Sequence, residues 1–195
     1  MTDTHPDPEA AMTARIPLDP PRTPFYRLTE WWTRRSWGTV AAPAAAMGHH
    51  PGVLRGTMRH EMGIARWDRL DPTLKALAQL AAASAVGCAW CQDFGWWEST
   101  RQGVDPAKLR DVPRWAGSDA YTDLERRVLA YAEAMSATPP LVTDEQVAGL
   151  RRDLDDAALV ELTMVVAVEN QRARFNDALG LPSQGFRDRC EVPAR

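Results

Sequence analysis

Cys88 and Cys91, two thiols separated by Ala89 and Trp90, are the residues of this chain whose type and spacing most directly imply chemistry. They follow an alanine-rich run and precede Asp93-Phe94-Gly95, at the predicted start of a helix. Thiols so placed can close a small disulfide ring. Thiolate is the reactive form, and the partial positive charge of a helix N-terminus lowers a thiol pKa. The pair therefore suits reversible thiol–disulfide exchange. Two blander readings compete with it. Free cysteine often serves as a small buried apolar residue, and a C-x-x-C is also half of a metal site. A tetrahedral zinc site takes about four N, S or O ligands. Here there is no second C-x-x-C and no His-x-x-x-His, so neither a metal nor another cofactor is expected.

The elements that must position this pair read as helices. A helix is predicted from Phe25 to Trp37, with Trp31, Trp32 and Trp37 as apolar bulk. A second runs from Ala41 to Ala46, interrupted by Pro43. Gly48-His49-His50-Pro51-Gly52 reads as a turn. Val53 to Ala65 follows, with Leu54, Met58 and Met62 on one side. Asp71-Pro72 is a helix start, since Asp caps free amides and Pro at the first helical position sacrifices no hydrogen bond. Leu74, Leu77, Ala78 and Ala81 continue at helical spacing until Gly87, and the next helix begins at Cys88 and reaches about Arg101. Thr122-x-x-Glu125 and Thr143-x-x-Gln146 are capping boxes. Asp155 caps a long last helix that ends near Gly180 and Pro182. No useful run of strand alternation occurs, so the chain is predicted to be all-α, with roughly seven to nine helices. It divides into an N-terminal arm over 1–24, one domain over 25–186 and a tail over 187–195 that holds Cys190.

This order of parts resembles the carboxymuconolactone decarboxylase superfamily, in its alkylhydroperoxidase AhpD-like branch. The features that carry the resemblance are His50-Pro51-Gly52-Val53-Leu54, then Leu74-Lys75-Ala76-Leu77 heading the alanine-rich helix, then Cys88 to Gly95. Glu125-Arg126 after Thr122 follows, and last come Glu161-Leu162-Thr163 with Asn170, Arg174, Phe175 and Asn176. The likeness covers about residues 45 to 186. It implies an AhpD-like helical bundle that oligomerises through helix packing, with peroxidase or disulfide-reductase activity at the two cysteines. In the family the proton relay converges on the second cysteine, which implies Cys91 as the activated thiol and Cys88 as its partner. The relay itself is missing: its carboxylate and imidazole positions fall on Ala76 and Gly95. General acid–base help is typically worth about a hundred- to ten-thousand-fold, so weak turnover is expected.

Other polar residues near these motifs have plain structural readings. Gly95 either leaves a pocket beside Cys91 or permits tight helix packing. Glu98 lies about 10 Å along the axis from Cys91 at 1.5 Å per residue, too far for direct proton transfer. Asp93 points away from Cys91 and supplies a first-turn charge. His49, His50, His60 and Glu61 are candidate acid–base groups or ligands from another helix, although their spacing fits no zinc motif. Asn170 is expected to join two helices by a hydrogen bond, and Arg174 to pair with a carboxylate.

Composition sets the context. The 195 residues carry a net charge of −3 with no basic block, which argues against nucleic acid as a partner. Three cysteines cannot all pair internally, the N-terminus lacks a signal-peptide core, and the longest weakly polar stretch is too short for a bilayer. A cytoplasmic protein with no membrane partner is expected. Eight tryptophans and many alanines suggest a homo-oligomer. The leading function is a thiol oxidoreductase acting on a peroxide or another small molecule and recycled by an external dithiol. The alternatives are a non-redox lyase of the decarboxylase type and a non-catalytic oligomeric binding protein.

Overall fold

The computed structural model describes residues 14–191, with the backbone alone for Cys190 and Glu191. Residues 1–13 of the expected arm and the end of the tail lie outside the described residues, as does the Cys190 side chain. Among the described residues ten α-helices follow one another: α1 Pro24–Trp37, α2 Ala42–Met47, α3 Pro51–Ile64, α4 Pro72–Val86, α5 Ala89–Arg101, α6 Pro106–Asp111, α7 Asp123–Ser136, α8 Asp144–Leu150, α9 Asp156–Ala178 and α10 Asp188–Glu191. A 3-10 segment, Val112–Gly117, links α6 to α7. Among the described residues there is no strand.

Helix α4 is the axis on which the rest assembles. Asp71 starts it by accepting the Thr73 and Leu74 N–H groups at 2.8 and 3.2 Å. Leu74, Leu77 and Leu80 are buried along it, and so are Ala76, Ala78, Ala81, Ala82 and Ala83. A helix buried on nearly all sides must be apolar on nearly all sides, and its alanines let neighbours come close. Helices α5, α7 and α9 pack around it. Leu77, Val128, Leu129, Leu162 and Val166 form the fully buried centre of this larger core.

Buried charges close the ends of the bundle. Glu161 on α9 accepts the Arg69 and Leu70 N–H groups at 2.7 and 3.1 Å and pairs with Lys75 at 2.5 Å. Burial raises its pKa, but the Lys75 and backbone hydrogen bonds outweigh burial and hold it below the usual range. Glu125 completes the capping box of α7 and also receives Lys108 at 2.6 Å. Part of the motif that suggested the family thus holds helix ends.

The structure corrects several local expectations. Pro43 does not interrupt α2 but sits in its first turn, where its missing N–H is no loss. The expected turn over 48–52 is shorter, because Pro51 already opens α3. Met62 faces outward at 54% exposure, while Leu54 is buried. Helices α6 and α10 are too short to show an apolar period, although Asp105-Pro106 repeats the start signal of α4. Residues 15–23 are draped on the helices: Arg15 N–H donates to Leu179 O at 2.8 Å, and His49 Nε2 meets Pro17 O at 2.8 Å.

Candidate active site

The turn between α4 and α5 places the thiols. Gly87 ends α4 with a φ of +84°, a left-handed conformation that glycine adopts freely. The Cys88 N–H returns to Ala83 O at 3.0 Å and the Gly87 N–H to Ser84 O at 3.1 Å, the two bonds of a Schellman turn. The chain then starts α5 at once, with Cys88 as N-cap. Its Sγ accepts the Cys91 N–H at 3.1 Å. Cys88 and Cys91 are joined as a disulfide, with Cα atoms 5.3 Å apart. They are 2% and 5% exposed.

Around the sulfurs lies a second, smaller core. Ala41, Ala42, Ala46, Ala83, Trp90, Trp97, Ala173, Leu181 and Phe186 enclose the pair. Trp90 stacks on Phe94 at 4.9 Å between ring centroids, and Phe186 meets Phe94 edge-on at 5.2 Å. Asp93 fastens this cover. Its Oδ2 accepts the Ser183 hydroxyl at 2.7 Å and the Gln184 and Phe186 N–H groups at 2.9 and 3.1 Å. Its Oδ1 accepts the Arg187 N–H at 2.8 Å. Burial pushes the Asp93 carboxyl up, but these four donors outweigh it and hold the pKa below the ordinary value. Asp93 is not a first-turn charge, since the first turn of α5 holds no acidic residue, but anchors residues 183–187. Gln184 ties the same segment to the thiol loop: Oε1 accepts from Trp90 Nε1 at 2.8 Å and from the Ala42 N–H at 2.9 Å. A cleft of about 560 Å³ lined by Tyr26, Glu30, Arg34 and other residues reaches Gln184 at the rim of this core.

Asn176, from the last helical turns of α9, brings a polar side chain to the disulfide. Its Nδ2 lies 3.3 Å from Cys91 Sγ and 3.8 Å from Cys88 Sγ. Sequence reasoning noted Asn176 within a motif without assigning it a part. The available signal was its place three residues after Ala173, on the buried face of α9.

Comparison with known proteins fits this geometry. Residues 51–134 match the Carboxymuconolactone decarboxylase family. Over 183 residues the chain is 32% identical to the uncharacterized protein YnjA of Escherichia coli K12, covering 93% of this chain and 96% of that one. A solved alkylhydroperoxidase AhpD core, an uncharacterized peroxidase-related protein from Ralstonia eutropha JMP134, superposes with a TM-score of 0.80 at 17% identity. That match covers 93% of this chain and 98% of the other. This chain belongs to the carboxymuconolactone decarboxylase family and has the fold of the AhpD core. The debrominase Bmp8, solved in complex with 2,3,4-tribromopyrrole, shares the fold with a TM-score of 0.78 at 21% identity, covering 92% of this chain and 98% of that one.

Within the AhpD-like frame, the two relay positions are filled by packing. Ala76 is buried in the larger core. At Gly95 an added Cβ would lie 3.1 Å from Leu80 Cδ2, so the missing side chain admits a close helix contact rather than a pocket. Most of the other candidates are engaged elsewhere. Glu98 accepts from Gln102 at 3.2 Å on the surface. His50 Nδ1 accepts the Val53 N–H at 3.2 Å and caps α3. Glu61 takes the Arg172 guanidinium, whose Nε lies 2.9 Å from Oε1, and Arg172 also holds Glu169 at 3.0 Å. Burial pushes Glu169 up despite the Arg172 charge. Asn170 donates to Ser136 Oγ at 2.8 Å and joins α9 to α7. Among the described residues Arg174 pairs with no carboxylate but donates to Thr138 Oγ1 at 2.9 Å and Ser136 O at 3.3 Å. Its place opposite the end of α7 gives it neutral oxygens. Among the described residues no group of three or more His, Cys, Asp or Glu side chains could hold a metal ion. Nor is any helix among them long and apolar enough to cross a membrane.

Proposed function

We propose that this protein is a thiol-dependent oxidoreductase with alkylhydroperoxidase-type activity. The observation that carries this reading is the disulfide-bonded Cys88–Cys91 pair at the N-terminus of a buried helix. In the reduced protein the Cys91 thiolate attacks the terminal oxygen of a hydroperoxide. An S–O bond forms as the O–O bond breaks, and the departing alkoxide takes up the proton that Cys91 released. The Cys88 thiol then displaces water from the sulfenic acid and closes the disulfide. An external dithiol returns two electrons and two protons by exchange. With Ala76 and Gly95 in place of the relay, no side chain at those positions can deliver the proton to the leaving oxygen, so turnover is slow.

The test is consumption of cumene hydroperoxide with dithiothreitol as donor, for wild type and the Cys88→Ser and Cys91→Ser variants. Slow turnover in wild type that vanishes in both variants is the expected result. Equal rates in wild type and Cys91→Ser would remove the thiol mechanism.

The working form is proposed to be a homo-oligomer. Leu28, Trp31 and Trp32 leave an exposed apolar face on α1, and Val160 and Met164 leave another on α9. Sedimentation equilibrium at micromolar concentration should give a mass above the 21.7 kDa of one chain; a strictly monomeric mass would reject this.

A further inference from the structure

Asn176 is 2% exposed, and its two ends are in different situations. The Nδ2 end faces both sulfurs, nearer to Cys91 than to Cys88. The Oδ1 end is buried and meets no donor among the described residues. A disulfide offers two weak acceptors and no proton, so the N–H end of the amide belongs toward the sulfurs. The acceptor end then stays unsatisfied, which costs free energy in the oxidised state. Reduction strengthens the bond at the other end. A Cys91 thiolate is a far better acceptor than a disulfide sulfur, and hydrogen bonds to an ionised partner are roughly twice as strong as neutral ones.

The helix N-terminus alone would favour the other cysteine. Its amide, the Cys91 N–H, is already directed at Cys88 Sγ. Among the described residues, the hydrogen bond to Cys91 Sγ comes from Asn176.

We infer that Asn176 is a catalytic residue that makes Cys91 the reactive thiol and favours the reduced dithiol over the disulfide. The inference rests on the thiol chemistry proposed above, and it assigns to a neutral amide the thiolate stabilisation otherwise left without a group. Asn176 supplies no proton to the leaving oxygen, which fits slow turnover.

The test needs no peroxide. Protein reduced with dithiothreitol and desalted is alkylated with iodoacetamide across a pH series, and the site of modification is mapped by mass spectrometry. In wild type, Cys91 is modified first and with a pH midpoint below the free-cysteine value of about 8.5. In Asn176→Leu and Asn176→Ala, which differ in bulk but both lack the donor, that midpoint rises by about one pH unit or more. Modification of Cys91 at pH 7 then slows about tenfold, the same one-unit shift read as a rate. The glutathione equilibrium moves in the same direction, toward the disulfide, and the more so at higher pH. Two variants keep the test decisive should one fail to fold by circular dichroism. A Cys91 profile unchanged in the folded variants, or a wild type in which Cys88 is modified first, overturns the inference. If wild type reduces no hydroperoxide while the Asn176 variants still shift the Cys91 profile, the peroxidase reading fails and the role of Asn176 stands.

Discussion

The two cores of this molecule are built on different principles. The core around α4 is made mostly of Leu, Val and Ala side chains, the largest share from α4, α7 and α9 at helical spacing. Its cohesion is volume and area, spread over many contacts of small individual worth. The core around the disulfide gathers residues from widely separated stretches, including Ala41, Trp90, Ala173, Leu181 and Phe186. Its cover is fastened by a few directional bonds from Asp93, Gln184 and Asn176. Both cores contribute to stability, the first through area and the second through a few buried bonds, but only the second sets the surroundings of the sulfurs. A change in the first should leave those surroundings largely in place.

The sharpest separation comes from the thiols. Cys91→Ser should bring hydroperoxide turnover down to background while the thermal midpoint of the reduced protein stays close to wild type, since Ser and Cys are similar in size. A large loss of stability in this variant would mean that the sulfur pair is a structural element of its core. The converse substitution is Leu162→Ala at the centre of the larger core, where the side chain is fully buried. It should cost about 2–5 kcal/mol in chemical denaturation, while iodoacetamide still distinguishes Cys91 from Cys88 in the folded fraction.

Asp93 tests whether the cover depends on few bonds. Asp93→Ala leaves three backbone N–H groups and the Ser183 hydroxyl without their acceptor. At about 1–3 kcal/mol for each donor left buried, offset where water reaches the segment, a loss of about 3 kcal/mol is expected. Hydrogen exchange should quicken at residues 183–187 and not in α7. The pH dependence has a definite sign. The folded pKa of Asp93 lies below its ordinary value of 3.8. Its contribution is complete above that value and is lost as the pH falls through the lowered folded pKa. Wild type should therefore lose this stability only below about pH 3.8, and Asp93→Asn should lack that part of the acid dependence.

The same contrast explains what the sequence made legible. Asp71-Pro72, Gly87, the two capping boxes and Asp155 were readable because each signal and its partner lie within four residues of one another. The C-x-x-C was readable for the same reason. The bonds that Asp93 accepts come from residues about 90 positions away, and Asn176 reaches Cys91 across 85. No local pattern encodes such pairs. Arg174 was expected to meet a carboxylate because charge is visible in sequence, whereas the carbonyl and hydroxyl it actually meets are not distinguished there. Asn170 was foreseen as a link between helices because a lone amide on an apolar stripe must find a partner.

Gly95 asks whether the absent relay could be restored at all. A Cβ there already lies 3.1 Å from Leu80 Cδ2, and an imidazole would need the space that the buried Leu80 side chain fills. Gly95→His should thus cost about 1–3 kcal/mol by overpacking and add nothing to the rate of hydroperoxide reduction. A faster variant with unchanged stability would show that the α4–α5 contact can open beside the thiols.

The smallest effect is expected at His50, and it separates capping from catalysis. His50 Nδ1 accepts the Val53 N–H and so satisfies one of the free amides at the start of α3, whose Pro51 occupies the first turn. Replacing a side-chain cap by Ala removes that acceptor and leaves the amide to water, worth about 0.5–2 kcal/mol at an N-terminus and less where the site is open to solvent. His50 is exposed, so His50→Ala should lower stability by about 0.5 kcal/mol, read as a small shift of the urea midpoint at constant slope. Turnover with cumene hydroperoxide should equal that of wild type at each pH between about 6 and 8. A collapse in rate would instead make this histidine the proton donor that Ala76 and Gly95 do not provide, and would tie α3 to the chemistry of the smaller core.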